Sequence, residues 1–239
     1  NLKLFPEDDK RLTKRCFQIN YKDLRKAEMI GDVCNEHLAA KNLFVDFMSD
    51  SKNNWLLDDT LKGTTIIIDC ANGAFSPLIN DLIQLGSADY FITNYNPEKG
   101  INLKSGVADL EGVDYINFDD LDNGIFSGYE SISMIFEKGR EQSDILRNSS
   151  RLVVGFIFDG DGDRCFLLIY DPYLDCILVL GGDVLSFFQA KMLHFNYDSS
   201  SMPMFVNTIE SDIESALAVE RIGYKTMQCA VGDKWILWQ

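Results

Sequence analysis

Short apolar runs alternate with segments of helical spacing along most of the chain beyond residue 61. The runs are rich in β-branched and aromatic residues and have the length of buried strands. They predict strands over 64–69, 89–93, 152–158, 165–170, 176–180, 204–207 and 224–228. Helical spacing predicts helices over 77–85, 183–193 and 212–222, a further helix after Gly232, and a weak one near 132–138. This alternation indicates the α/β class.

The chain divides into three parts. Residues 1–61 are polar and uneven, with one amphipathic helix over about 30–48, and are interpreted as the tail of a first domain with a linker. Residues 62–180 are predicted to form an α/β domain, and residues 181–239 a second α/β domain that is truncated. We therefore expect two layered α/β units with mixed sheets. Within 94–150 the pattern predicts nothing beyond the weak helix.

Charge and composition narrow the classes of function. The formal net charge is -15, which argues against a sequence-independent nucleic-acid binder and against adhesion to anionic lipid, because both need Lys and Arg. No run approaches the roughly 20 apolar residues that span a bilayer, and no signal peptide is visible. The scattered cysteines suit a reducing compartment. We therefore expect a cytoplasmic protein with no nucleic-acid and no membrane partner.

Three aspartates alternate directly after an apolar run. They are Asp159, Asp161 and Asp163, which we call the aspartate trio. Two carboxylates about 4 Å apart repel by roughly 1 kcal/mol in water and about 4 kcal/mol at an effective dielectric of about 20, so a converging trio requires a cation. Gly160 and Gly162 allow the backbone to turn so that the side chains converge. Carboxylate oxygens suit Mg²⁺, and Arg164 can balance the remaining charge or bind a phosphate.

Other interpretations of the acidic loop remain open. A surface turn that ends a strand would need no ion, although the doubled glycine and the following arginine favour metal binding. A calcium-binding EF-hand that starts at Asp159 would need Gly in place of Arg164 and Glu in place of Tyr170. A haloacid-dehalogenase-type phosphatase also carries an Asp pair after an apolar strand. It would use Asp159 as nucleophile, but it expects Thr or Val in place of Asp163.

The string from Phe158 to Arg164 resembles the metal-binding loop of the α-D-phosphohexomutases. Other segments resemble parts of that family in the same order along the chain. They are 68–74 (the opening strand and turn of the second domain), 100–106 (a Gly-Ile-Asn-Leu segment followed by Ser-Gly), Gly182-Asp183 (the start of the third domain) and 231–234 (a third-domain loop that meets the sugar phosphate). Residues 107–111 depart from the family's pattern. The resemblance covers about 61–239 and implies the second domain with a truncated third domain.

The resemblance implies a mutase reaction. In that family a phosphoserine of the first domain donates its phosphoryl group to a hexose phosphate, giving a bisphosphate that returns its other phosphate to the serine. A phosphoryl group thereby moves between O1 and O6. By resemblance, the aspartate trio holds Mg²⁺, Arg164 is a catalytic group, and Gly232, Asp233 and Lys234 bind the hexose phosphate.

The family's phosphoserine loop and its final phosphate-binding domain have no counterpart in these 239 residues. We therefore expect a fragment that lacks the first and fourth domains of a longer chain and is inactive alone. Two alternatives stay open. One is the metal-dependent phosphatase, and the other is a degenerate, non-catalytic homologue retained as a binding module.

Overall fold

The five strands predicted between residues 62 and 180 form one mixed sheet with a sixth, shorter strand in a computed structural model of the chain. The structure describes residues 4–20, 22, 31, 32, 34–50, 61–83, 88–196 and 203–238. The strands of the sheet are β1 (Thr65–Asp69), β2 (Asp89–Thr93), β3 (Tyr115–Asn117), β4 (Val153–Phe158), β5 (Cys165–Asp171) and β6 (Cys176–Leu180). Their order is β2-β1-β4-β5-β6-β3. Strand β1 runs parallel to β2 and β4, and the other neighbours are antiparallel. The predicted α/β class with a mixed sheet is confirmed.

The helices of the described residues precede, follow or connect these strands. In chain order they are α1 (Pro6–Gln18), α2 (His37–Ser49), α3 (Ile79–Leu82), α4 (Asp119–Asn123), α5 (Glu130–Glu141), α6 (Ser143–Arg147), α7 (Gly182–Asn196), α8 (Ile213–Arg221) and α9 (Asp233–Ile236). A 3₁₀ turn spans Ala108–Leu110. Two further strands, β7 (Met204–Thr208) and β8 (Lys225–Cys229), pair in parallel.

The six-stranded sheet has a core cluster on each face, and β1 is buried on both. Along β1, Ile66 and Ile68 lie in one core cluster and Ile67 lies in another, because successive side chains of a strand point to opposite faces. Helix α5 packs against β1, β4, β5 and β6. Its buried residues recur with helical spacing and are Ser131, Ile132, Ile135, Phe136 and Gly139. The sheet is therefore a rigid support for the loops at its edges.

The chain falls into two compact units. One contains residues 35–182, and the other contains residues 1–34 together with 183–239. The first holds the six-stranded sheet. The second holds β7 and β8, with a core of Ala190, Val219 and Tyr224. The predicted domains 1–61, 62–180 and 181–239 stay predictions, because compactness does not test which segments fold independently.

Three segments differ from the sequence predictions. The helix predicted over 77–85 is observed only as α3, Ile79–Leu82, and residues 84 and 85 of that prediction lie outside the described residues. In 94–150 the structure has β3, α4, α5 and α6, whereas the spacing predicts only a weak helix near 132–138. Strand β3 has three residues, too few for a period of two to emerge. The predicted helix 30–48 begins later, as α2, where the Asn35 side-chain oxygen accepts a hydrogen bond from His37 N at 3.1 Å. Residues 30 and 33 of that prediction lie outside the described residues.

Within the described parts of the chain, none of the helices combines the length and the apolar character needed to span a membrane.

Candidate functional site

The acidic loop lies where three parallel strands end. The register of β1 pairs Asp69 with Thr93 on β2 and with Ile157 on β4, so these strands end at the same edge of the sheet. In open α/β sheets the crevice beyond the carboxyl ends of the strands is the usual place for a ligand. Residues 159–164 connect β4 to β5 at this edge, and the backbone N–H of Asp159 donates to the carbonyl oxygen of Arg164 at 3.3 Å.

The aspartate trio converges in the structure. One carboxylate oxygen from each of the three residues lies within 4.8 Å of the others. Asp159 is buried and the other two aspartates are exposed. The Oδ1 atom of Asp159 accepts hydrogen bonds from the backbone N–H of Gly162 at 3.0 Å and of Arg164 at 3.1 Å. Gly162 has a φ of +79°, a left-handed conformation that favours glycine and turns the chain back towards Asp159.

Electrostatics separate the carboxyls of the trio. Burial raises the pKa of Asp159, but hydrogen bonds from the Arg164 backbone and side chain outweigh it and bring that pKa below its ordinary value. Desolvation, followed by the negative charges of Asp159 and Asp161, raises the pKa of Asp163 above its ordinary value. Asp159 therefore loses its proton more readily than Asp163 does.

Arg164 contacts two carboxylates. Its Nε donates to Asp159 Oδ2 at 3.0 Å, and its Nη1 donates to Glu111 Oε1 at 3.1 Å. The Asp159 side chain is 5% exposed, whereas those of Arg164 and Glu111 are 55% and 58% exposed. Sequence reasoning missed Glu111, because it lies 53 residues from Arg164, in the segment that departs from the family's pattern.

The acidic loop packs against the turn that follows β1. The backbone N–H of Ala74 donates to the carbonyl oxygen of Gly160 at 2.9 Å. A Cβ atom at position 73 would lie 2.0 Å from that oxygen, so the close approach requires Gly73. The rings of Phe75 and Phe158 stack with their centroids 4.4 Å apart. The turn and the acidic loop are thus held by both backbone and side-chain contacts.

A buried carboxylate supports that turn from below. Asp69 is inaccessible to solvent and accepts hydrogen bonds from Ala71 N at 2.8 Å, Asn94 Nδ2 at 2.9 Å and Ser131 Oγ at 2.6 Å. Burial raises the pKa of Asp69, while these donors lower it. Several residues of the surrounding turns have positive φ: Ala71, Asn72, Asn94, Asn102 and Lys104. Sequence reasoning did not identify this network, because Asp69 and Ser131 are 62 residues apart.

The donor set of the trio fits Mg²⁺. All three members offer carboxylate oxygens, the ligand type that this cation prefers, and two of them are exposed. Asp159 Oδ2 already accepts a hydrogen bond from the guanidinium of Arg164. A cation that binds this oxygen would either displace the guanidinium or share the oxygen with it. The role of the trio as metal ligands stays a prediction.

The residues predicted to bind substrate belong to the other unit. Gly232 has a φ of +116° and is the N-cap of α9, which begins at Asp233. Lys234 Nζ donates a hydrogen bond to the Asp9 carboxylate on α1. The ring of Phe5, just before α1, makes an edge contact with Trp238 at a centroid distance of 5.3 Å. The predicted substrate lysine is therefore engaged by an acidic residue of α1.

Fold and loop together define an α/β protein with an acidic cluster at the carboxyl end of its parallel strands. No protein-family model matches the chain. The chain is similar to curated phosphoglucosamine mutases: that of Bifidobacterium longum (strain DJO10A) is 25% identical over 219 residues, with 87% of this chain and 38% of the relative covered. That of Bacillus licheniformis is 27% identical over 207 residues, with 85% and 36% covered.

A solved structure of a phosphoglucomutase/phosphomannomutase family protein from Burkholderia thailandensis is 15% identical, with a TM-score of 0.45, covering 82% of this chain and 34% of that chain. The similarity in sequence to the phosphoglucosamine mutases confirms the resemblance to the phosphohexomutase superfamily. The chain spans less than two fifths of the length of the curated relatives named above.

Proposed function

We propose that this chain is the metal-holding part of a phosphohexomutase that moves a phosphoryl group between O1 and O6 of a hexose phosphate. The reaction would pass through an enzyme phosphoserine and a sugar bisphosphate. Further parts of a longer protein would supply the phosphoserine and help to bind the bisphosphate. The observation that carries the proposal is the convergence of the aspartate trio at the end of β4, with Arg164 beside it. It occurs in a chain similar over 87% of its length to a phosphoglucosamine mutase.

Each member of the trio has a role that follows from its burial. Asp159 is held in one orientation by backbone N–H groups and anchors the site. Asp161 and Asp163 are exposed and can rotate to accept a cation from solvent. Bound Mg²⁺ would neutralise negative charge on the transferring phosphoryl group.

Arg164 can contact the phosphoryl group directly. A guanidinium has five N–H donors in a fixed fork, and two of those of Arg164 serve Asp159 and Glu111. The remaining donors lie on a side chain that is 55% exposed. They can donate to phosphate oxygens, which match the geometry of the guanidinium. Arg164 would therefore orient the phosphoryl group and stabilise its charge during transfer.

Gly232, Asp233 and Lys234 are proposed to bind the phosphate of the sugar. Gly232 turns the chain with a positive φ, and Lys234, two residues later, supplies a cation for the phosphate. Glucosamine phosphate is the favoured substrate, because the curated relatives are named phosphoglucosamine mutases. The phosphate would then compete with the Asp9 carboxylate for the Lys234 ammonium group.

The experiment pairs ion binding with activity. Calorimetry should detect Mg²⁺ binding to this chain that is lost in Asp161→Asn, and the full-length protein should interconvert glucosamine 1-phosphate and glucosamine 6-phosphate only with Mg²⁺. Absence of Mg²⁺-dependent interconversion of any hexose phosphate would refute the proposal. Mg²⁺ binding without any turnover would favour the non-catalytic homologue.

The phosphatase alternative is less well supported by the site. Its nucleophile would be Asp159, whose Oδ1 accepts two backbone hydrogen bonds and whose Oδ2 accepts one from Arg164. The side chain is only 5% exposed, so neither oxygen is presented to an incoming phosphate. Beryllofluoride, which mimics an aspartyl phosphate, should therefore fail to modify the chain. A stable beryllofluoride adduct on Asp159 would reverse this preference.

A further inference from the structure

Arg164 contacts two carboxylates that differ in burial. Asp159 is buried and belongs to the aspartate trio, whereas Glu111 is 58% exposed and lies outside it. Two different nitrogens of Arg164 donate these hydrogen bonds: Nε donates to Asp159 and Nη1 donates to Glu111. The guanidinium can therefore lose one partner while keeping the other.

Glu111 lies in a segment that is anchored to the core. It follows the 3₁₀ turn Ala108–Leu110, whose last residue is fully buried in the core. The hydroxyl of Tyr129 donates to the Asp109 carboxylate, and Val113 N donates to the carbonyl oxygen of Leu110 at 3.1 Å. The backbone on both sides of Glu111 is thus anchored, and its carboxylate accepts a hydrogen bond from Arg164 Nη1.

Asp159 has two possible positive partners, the guanidinium of Arg164 and a bound cation. Its Oδ1 is occupied by two backbone N–H groups, so Oδ2 is the oxygen available to a cation, and Arg164 Nε already donates to it. A cation at Oδ2 repels the guanidinium. Without a second acceptor, Arg164 would either compete with the cation for Asp159 or move into solvent.

We propose that Glu111 is a positioning residue that retains Arg164 at the site when Asp159 turns from the guanidinium to a divalent cation. This inference rests on the proposed function, because it assumes that the trio binds such a cation. Arg164 then acts as a removable counter-ion: it neutralises Asp159 before the cation arrives and stays beside the site, held by Glu111, afterwards. Glu111 contributes through Arg164 and not as a ligand.

The test is a double-mutant cycle on cation affinity, with Mn²⁺ as the probe and calorimetry as the readout. Glu111→Gln should weaken Mn²⁺ binding about two- to fivefold, because a neutral amide oxygen holds the guanidinium more weakly than a carboxylate does, and Arg164 then competes with the ion for Asp159. In the Arg164→Gln background the same change should have no effect, since the residue through which Glu111 acts is gone. Glu111→Asp should weaken binding less than Glu111→Gln, because it keeps the charge.

A second readout follows the guanidinium itself. With Mg²⁺ present, hydrogen exchange of the Arg164 Nη1–H group, which donates to Glu111, should be faster in Glu111→Gln than in the wild type when measured by NMR. Equal losses of Mn²⁺ affinity in both backgrounds would mean that Glu111 acts only by its charge through space, and would overturn the inference alone. No effect in either background would do the same. Absence of Mn²⁺ binding to the wild-type chain would overturn both the inference and the proposed metal site.

Discussion

Gly73→Ala tests how the acidic loop is held in place. A Cβ atom on this residue would lie 2.0 Å from the carbonyl oxygen of Gly160, and ordinary van der Waals contact begins at 3.4 Å. The turn and the loop must therefore separate by about 1.4 Å, the difference between these distances. The same movement lengthens the 2.9 Å hydrogen bond from Ala74 N to that oxygen. The perturbation reaches the aspartate trio without changing any of its members.

The magnitude follows from these two losses. Overpacking of this kind costs about 1–3 kcal/mol, and the loss of one hydrogen bond costs about 1 kcal/mol. We expect Gly73→Ala to lower the free energy of unfolding by about 2–4 kcal/mol. Metal sites tolerate displacements of only about 0.5 Å, so Mn²⁺ affinity should fall by at least about tenfold, as it does when the groups that support metal ligands are changed.

Urea denaturation measures the first quantity and calorimetric titration with Mn²⁺ the second. Gly182→Ala is the matched control, because a Cβ atom there meets nothing within 4 Å. If Gly73→Ala equals this control in both measurements, the close approach of turn and loop does not hold the acidic loop, and the reasoning is wrong.

Three further predictions concern carboxylates. Because the pKa of Asp163 is raised, protons compete with a divalent ion for this carboxylate at pH values above the ordinary carboxyl range. Asp163→Asn should therefore weaken Mn²⁺ binding and make the Mn²⁺ affinity fall less steeply as the pH is lowered, as measured by titrations at several pH values. Asp9→Asn removes the ion pair with Lys234 and should raise the affinity for glucosamine 6-phosphate about two- to fivefold by calorimetry. Ser131→Ala removes a 2.6 Å hydrogen bond to buried Asp69 and should lower the free energy of unfolding by about 1–3 kcal/mol in urea.

Two of these predictions have a control variant that isolates the cause. Asp8→Asn lies in the same turn of α1 but removes an ion pair with Arg11, so it should leave sugar-phosphate affinity unchanged. Ser133→Ala removes a hydrogen bond to a carbonyl oxygen of its own helix and should cost less than Ser131→Ala. An unchanged pH profile in Asp163→Asn would contradict the assignment of the raised pKa.

Much of the first unit's framework could be predicted from the sequence. The run 64–69 predicts β1, 89–93 predicts β2 and 176–180 predicts β6, each to within one residue at either end. A strand buried on both faces needs a continuous run of apolar, β-branched residues, and such a run can be recognised from the local sequence alone. The acidic loop is equally local, because the alternation of Asp and Gly is itself the signal.

Only the tertiary structure decided which distant groups meet. Arg164 and Glu111 are 53 residues apart, Asp69 and Ser131 are 62 apart, and Lys234 and Asp9 are 225 apart. These contacts depend on the order of strands in the sheet and on the packing of helices against the core, and no periodicity along the chain encodes either. The same reason explains β3, which is a strand only because the edge of β6 offers hydrogen-bond partners to a segment too short to have a pattern of its own.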